Sequence, residues 1–137
     1  MWTGLRPSSR ATFEVVPLPG EAGIQVVAAA EGKIFGVGSR GNKTFVFDPK
    51  TRSVVKTFEN PYGGQVWGSF RLHKDGLIWG LTSTTIFTLD PKTYEYRLVA
   101  KSKQPITGGM ALTNDAVYFA CNANLWRYSA GASAEDK

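Results

Sequence analysis

Residues 31–51, EGKIFGVGSRGNKTFVFDPKT, and residues 75–93, DGLIWGLTSTTIFTLDPKT, are two copies of one pattern. Gly32 aligns with Gly76 and Gly36 with Gly80 at a spacing of 44, and Asp48-Pro49-Lys50-Thr51 aligns with Asp90-Pro91-Lys92-Thr93 at a spacing of 42. The two-residue difference falls in the loop around Gly41 and Asn42. A weaker third copy is NDAVYFACNANLWRYS, in which Ala116–Phe119 follow Leu77–Gly80 and Leu125–Tyr128 follow Ile86–Leu89, both at a spacing of 39. A chain that repeats itself at this period is built from similar supersecondary units that stack on one another.

Within each unit the periodicity is that of short strands. The middle unit predicts strands at 66–72, 77–81, 85–89 and 94–99, the first unit at 24–30, 34–38, 44–47 and 53–58, and the third at 109–113, 116–120 and 124–128, with no fourth strand. The alternation in TFVFD and TIFTLD, rich in β-branched and aromatic residues, favours extended chain, and no long stretch has a 3.6-residue period. Asp75-Gly76 supplies a positive-φ position for a tight hairpin. In Asp90-Pro91-Lys92-Thr93 the proline fixes φ at the second turn position while the Asp carboxylate accepts a nearby backbone N–H.

Four short antiparallel strands per 39–44 residues predict an all-β chain of β-propeller blades. A sandwich can be built from similar strands, but it has no need of the same turn tetrapeptide at the same place in successive units. The expected organisation is an N-terminal flexible segment at 1–11, a partial propeller over 12–128 with a stray strand at 12–16 and repeats at about 24–58, 66–99 and 109–128, and a disordered polar tail at 129–137. Closed propellers usually have four to eight blades, so three call for completion. Two completions are open at this point: the missing blades of a longer chain, or a homodimer in which Thr12–Val16 of one copy supplies the fourth strand of the other's third blade.

Composition narrows the function classes. Of 137 residues, 42% are hydrophobic and 20% charged, enough apolar material for a packed core. One cysteine forms no internal disulfide, and the longest apolar runs fall far short of the roughly 20 residues of a membrane span. The opening MWTGLRPSSR has no apolar run of the kind a secretory signal carries. The net charge is +5, but its densest basic stretch is only Lys92, Arg97, Lys101 and Lys103, so neither a nucleic-acid nor a membrane partner is expected.

The segments GKIFG…FVFDPKT, DGLIWG…IFTLDPKT and GGMALTNDAVYFACNANLWRY resemble the blades of bacterial WD40-like or kelch-like β-propeller proteins. Those blades carry a D-G-x-hydrophobic-aromatic-G segment followed by an F-x-x-D-P-x-T turn. The resemblance spans about residues 24–128 and implies architecture, while its members bind proteins, carbohydrates or small ligands, or accompany enzymes. The third unit departs from the pattern, lacking the DPKT turn between Asn124 and Ser129.

No constellation for catalysis, cofactor or metal is legible. His73 is the only histidine and sits before the Lys74-Asp75-Gly76 turn, with no cluster of Cys, His or carboxylates at ligand spacing. No G-x-S-x-G elbow is present, and Cys121 in YFACN reads as strand packing. Asp48 and Asp90, with Lys50 and Lys92, are explained by turn formation. Gly63-Gly64 and Gly108-Gly109 recur at a spacing of 45 just before the expected innermost strands, where small residues suit a crowded channel. Trp79 and Trp126 read as blade packing, and Trp67 as an aromatic near the channel. Tyr62, Gly64, Gln65 and Trp67 are the candidate ligand-binding residues. The expected function is a noncatalytic recognition or scaffold module for a protein or carbohydrate-like ligand, without a cofactor. The competing expectation is a piece of a propeller enzyme acting on a carbohydrate or lactone-like substrate, with its catalytic residues in absent blades.

Overall fold

A computed structural model describes residues 12–16, 18, 23–38 and 43–129. The segment 1–11, the loop at Gly41 and Asn42 and the tail beyond Ser129 lie outside the described residues. Eleven strands form three antiparallel sheets. The first is β1 (Ile24–Ala30), β2 (Lys33–Gly38), β3 (Lys43–Asp48) and β4 (Ser53–Glu59). The second is β5 (Gln65–Leu72), β6 (Ile78–Thr82), β7 (Thr85–Leu89) and β8 (Tyr96–Lys101), and the third is β9 (Gly108–Leu112), β10 (Val117–Cys121) and β11 (Asn124–Tyr128). Strand order within each sheet is sequential, so each is a meander joined by short turns.

The first strands of the sheets adjoin in succession, β1 with β5 and β5 with β9. That arrangement is an arc of three propeller blades with β1, β5 and β9 innermost, an incomplete β-propeller. Among the described residues, no helix is long and apolar enough to cross a membrane.

The turns behave as their chemistry dictates. Asp48 Oδ1 accepts the Lys50 N–H at 2.9 Å and Asp90 Oδ1 the Lys92 N–H at 2.8 Å. The Arg52 and Tyr94 amides close the same turns onto the Asp48 and Asp90 carbonyls, each residue at positive φ. Gly76 takes φ +86° in the β5–β6 hairpin.

Blade-on-blade packing follows the two-residue alternation of the strands. Between the first and second sheets lie Phe35, Val37 and Val46 on one side and Phe70, Ile78, Phe87 and Leu89 on the other. Between the second and third lie Val66, Trp79, Leu81 and Ile86 against Met110, Val117, Phe119 and Cys121. The middle sheet is therefore buried on both faces, which is why β6 and β7 are buried at every residue while β11 is exposed along most of its length.

Two expectations change. The stray strand at 12–16 is not formed among the described residues: 12–16 carry no strand and are exposed, because a strand needs a ladder partner and none of the described residues lies alongside. Trp126 is 40% exposed rather than packed. It pairs across β10–β11 with Phe119, in the place where Phe45 pairs with Gly36 and Phe87 with Gly80. In the first two sheets the phenyl ring lies over the glycine, where a Cβ would collide with it. In the third sheet the place of that glycine is taken by Phe119, which is buried.

Candidate functional site

The inner strand of the middle sheet is interrupted. Gln65 pairs with Thr82 and Phe70 with Gly80, so Val66, Trp67, Gly68 and Ser69 together oppose the single residue Leu81. Gly68 adopts φ +73°, a conformation that strains residues with a Cβ. The bulge is held from inside. Gln65 Nε2 donates to the Ser69 carbonyl at 2.8 Å, and the Ser69 hydroxyl donates to the Val66 carbonyl at 2.5 Å. Ser69 Oγ also accepts the Leu81 N–H at 3.4 Å, tying the bulge to β6. Gln65 and Ser69 are buried, whereas Trp67 is 66% exposed. Bulges of this kind re-aim a side chain, and here they leave a large indole uncovered on the strand nearest the axis of the arc.

Gly80 and Gly109 make room for this device. A Cβ on Gly80 would lie 2.7 Å from Gln65 Nε2 and 2.8 Å from the Ser69 carbonyl, and one on Gly109 would lie 2.6 Å from Leu81 Cδ1 and 3.2 Å from Ser69 Cβ. The third blade thus approaches the bulge closely only because its inner strand carries a glycine. Gln65 Oε1 is buried and has no hydrogen-bond partner among the described residues.

Of the four residues singled out from sequence, Gln65 and Trp67 belong to this one structure, and Gly64 is exposed immediately before it. Tyr62 faces elsewhere. Its ring packs on Phe87 at 6.1 Å between centroids and edge-on to Tyr96 at 6.5 Å, within the interface of the first and second sheets. Gly68 and Ser69 were missed, although the run QVWGSF breaks the alternation expected of a strand and places a glycine at the break.

A cleft lies at each described blade junction. One of about 190 Å³ opens between the second and third sheets and is lined by His73, Asp75, Trp79, Asn114 and Tyr128 among others. The Asp75 carboxylate there is already committed, accepting the Leu77 N–H at 2.9 Å and Trp79 Nε1–H at 3.0 Å, and His73 meets Trp79 edge-on. No hydrogen bond joins His73 to an acid among the described residues. A more open cleft between the first and second sheets is bordered by Glu59, Tyr94 and Arg97. The described residues hold no group of three or more His, Cys, Asp or Glu suited to a metal.

Among the described residues, one ionisable group is displaced. Tyr96, at the start of β8, bonds to the Thr44 hydroxyl of the first sheet, and burial pushes its pKa up to about 12, the Thr44 hydrogen bond opposing the shift.

A family model described as "Domain of unknown function (DUF5074)" matches residues 5–134. The chain belongs to that family. The description names neither a WD40-like nor a kelch-like repeat, and the three sheets of the DUF5074 chain form a partial propeller. No curated protein matches it. Among solved structures, a chain from an S. cerevisiae assembly, described as dbp5 bound to nup159, gle1, IP6 and ADP, superposes with a TM-score of 0.58 at 14% identity. The match covers 83% of the DUF5074 chain and 32% of the yeast chain, so the domain spans about a third of that chain's length. The likeness supports the fold.

Proposed function

We propose that this DUF5074 domain is a noncatalytic recognition or scaffold module that binds a protein or carbohydrate-like ligand on the inner side of its blade arc, with Trp67 as the principal contact. The bulge Val66–Ser69 carries the reading. A solvent-exposed indole on an inner strand is unfavourable for stability alone, yet buried Gln65 and Ser69 spend their hydrogen bonds holding it there. A rigid, flat aromatic with an N–H donor suits stacking on a sugar ring or an aliphatic side chain, at little cost in side-chain entropy. Gly64 and Gly68 leave backbone groups beside it open to a ligand.

The test is a paired screen of the labelled domain on a glycan array and a peptide array, repeated with Trp67→Ala. Because Trp67 is exposed, the variant keeps its thermal midpoint within about 2 °C, the size expected of a surface change. Binding to one ligand class that falls at least about tenfold in the variant, a loss of about 1.4 kcal/mol, supports the proposal. Hits that are insensitive to Trp67→Ala, or none on either array, overturn it.

A further inference from the structure

Arg71 is the one charged residue of the three innermost strands: β1 reads IQVVAAA, β5 QVWGSFRL and β9 GGMAL. The repeat does not ask for it. Ladder register makes Arg71, opposite Trp79, the counterpart of Ala28, opposite Phe35, and of Ala111, opposite Tyr118. The three aromatic partners fall at the repeat spacings of 44 and 39. Two blades therefore build this position with a methyl group, and β1 adjoins β5 without an arginine there.

The guanidinium is held in place but not neutralised. Arg71 Nε donates to the Met110 carbonyl of β9 at 3.1 Å, which fixes the head group between the inner strands of the second and third blades. No carboxylate pairs with it among the described residues, whose ion pairs are Arg52 with Glu14 and Arg127 with Asp115. Arg71 is exposed, and with Nε committed its two Nη groups remain as a planar fork, which takes a carboxylate by two parallel hydrogen bonds. A lone cation on otherwise uncharged strands attracts an anion, and the net charge of +5 acts in the same direction.

The bulge brings this cation toward the indole. In a regular strand, four residues would separate Trp67 from Arg71 by about 13 Å. Here Val66–Ser69 together oppose Leu81, and Arg71 opposes Trp79, so the ladder advances by only two residues of β6 between them, about 7 Å. Both side chains are exposed.

We infer that the ligand of the Trp67 site is an acidic sugar, a hexuronic acid unit whose ring stacks on the indole and whose carboxylate is bound by Arg71. The inference rests on the proposed reading of Trp67 as a ligand contact and adds the class of ligand. A hexuronate carries an apolar ring face and a carboxylate in one rigid unit, so a single sugar engages both side chains with little loss of conformational freedom. An acidic peptide brings its carboxylate on a flexible side chain and its stacking group from another residue, and orders more rotors for the same two contacts.

The experiment is isothermal titration calorimetry of the domain with trimers of galacturonate, glucuronate and mannuronate, with their carboxyl-reduced neutral counterparts, and with a tetraglutamate peptide. At least one uronate trimer is expected to bind at least about tenfold more tightly than its reduced counterpart and than the peptide, as a charge-assisted hydrogen-bonded pair requires. Arg71→Ala installs the residue that the other two blades carry. It is expected to abolish the uronate preference while lowering the thermal midpoint by no more than roughly 4 °C, the effect of losing one hydrogen bond. Arg71→Lys keeps the charge without the fork and retains an intermediate preference, whereas Trp67→Ala weakens acidic and neutral sugars alike. Equal affinity for uronate and reduced sugar, both lost in Trp67→Ala, overturns the acidic-sugar assignment and leaves Trp67 as the contact. A uronate preference that survives Arg71→Ala, or tighter binding of the peptide, overturns the assignment too. No binding of any sugar, or binding indifferent to Trp67→Ala, overturns both readings.

Discussion

Substituting alanine at Gly80 and at Gly36 separates two kinds of crowding that the repeat makes look identical. At Gly36 the added methyl meets only the tip of the Phe45 ring. At Gly80 it lies 2.5 Å from Phe87 Cζ, but also 2.7 Å from Gln65 Nε2 and 2.8 Å from the Ser69 carbonyl, which is backbone. A ring tip can shift, but the Ser69 carbonyl moves only with the bulge. Overpacking a core costs about 1–3 kcal/mol, and breaking the Gln65–Ser69 hydrogen bond adds about 1 kcal/mol. Alanine recovers about 0.5–1 kcal/mol over glycine in a strand, at either site. Gly80→Ala is therefore expected to destabilise by about 3 kcal/mol and Gly36→Ala by about 1 kcal/mol. For a chain of this size that corresponds to roughly 12 °C against roughly 4 °C in thermal midpoint. Urea unfolding followed by far-ultraviolet circular dichroism measures both, with the slope compared to confirm that the transition is unchanged in kind. If Gly80→Ala lies within about 0.5 kcal/mol of the parent, or Gly36→Ala costs as much, the bulge is not the rigid element described here.

Two further outcomes follow from the same packing. With its pKa near 12 in the folded chain against 10.0 unfolded, Tyr96 leaves stability untouched below pH 10 and removes it as pH rises from 10 toward 12, because the unfolded chain ionises first. The loss, about 2 kcal/mol after allowance for partial solvent access, is read from denaturant midpoints at pH 9 and 11.5, and Tyr96→Phe flattens this part of the profile. Cys121, the only cysteine and buried in the second–third sheet interface, reacts with a thiol reagent at least about 100-fold more slowly in native buffer than in denaturant; rapid native labelling would contradict its packing.

The architecture was legible because its determinants are local. DPKT turns, the Asp75-Gly76 hairpin and period-two alternation each act over a few residues, and the expected strands 24–30, 85–89 and 124–128 coincide with β1, β7 and β11. Four-strand repeats at a period of about 39–44 residues then leave a stacked arc as the way to bury both faces of the middle unit. The candidate site was less legible. Trp67 and Gln65 stood out by residue type near an inner strand, but nothing local says that one is buried to hold the other out, or that Tyr62, five residues before Trp67, turns into the neighbouring interface.

The sequence by itself determined the blade: its strands, its hairpins and its repeat. Tertiary structure decided which side chains those blades spend on packing and which they leave uncovered. Phe119 is buried at the position a glycine holds in the other two sheets while Trp126 opposite it is 40% exposed, and Trp67 is exposed while Gln65 and Ser69 beside it are buried and hydrogen-bonded. These outcomes depend on volume and hydrogen bonds shared between segments far apart in the chain, and excluded volume is a property of the assembled fold rather than of any stretch of residues.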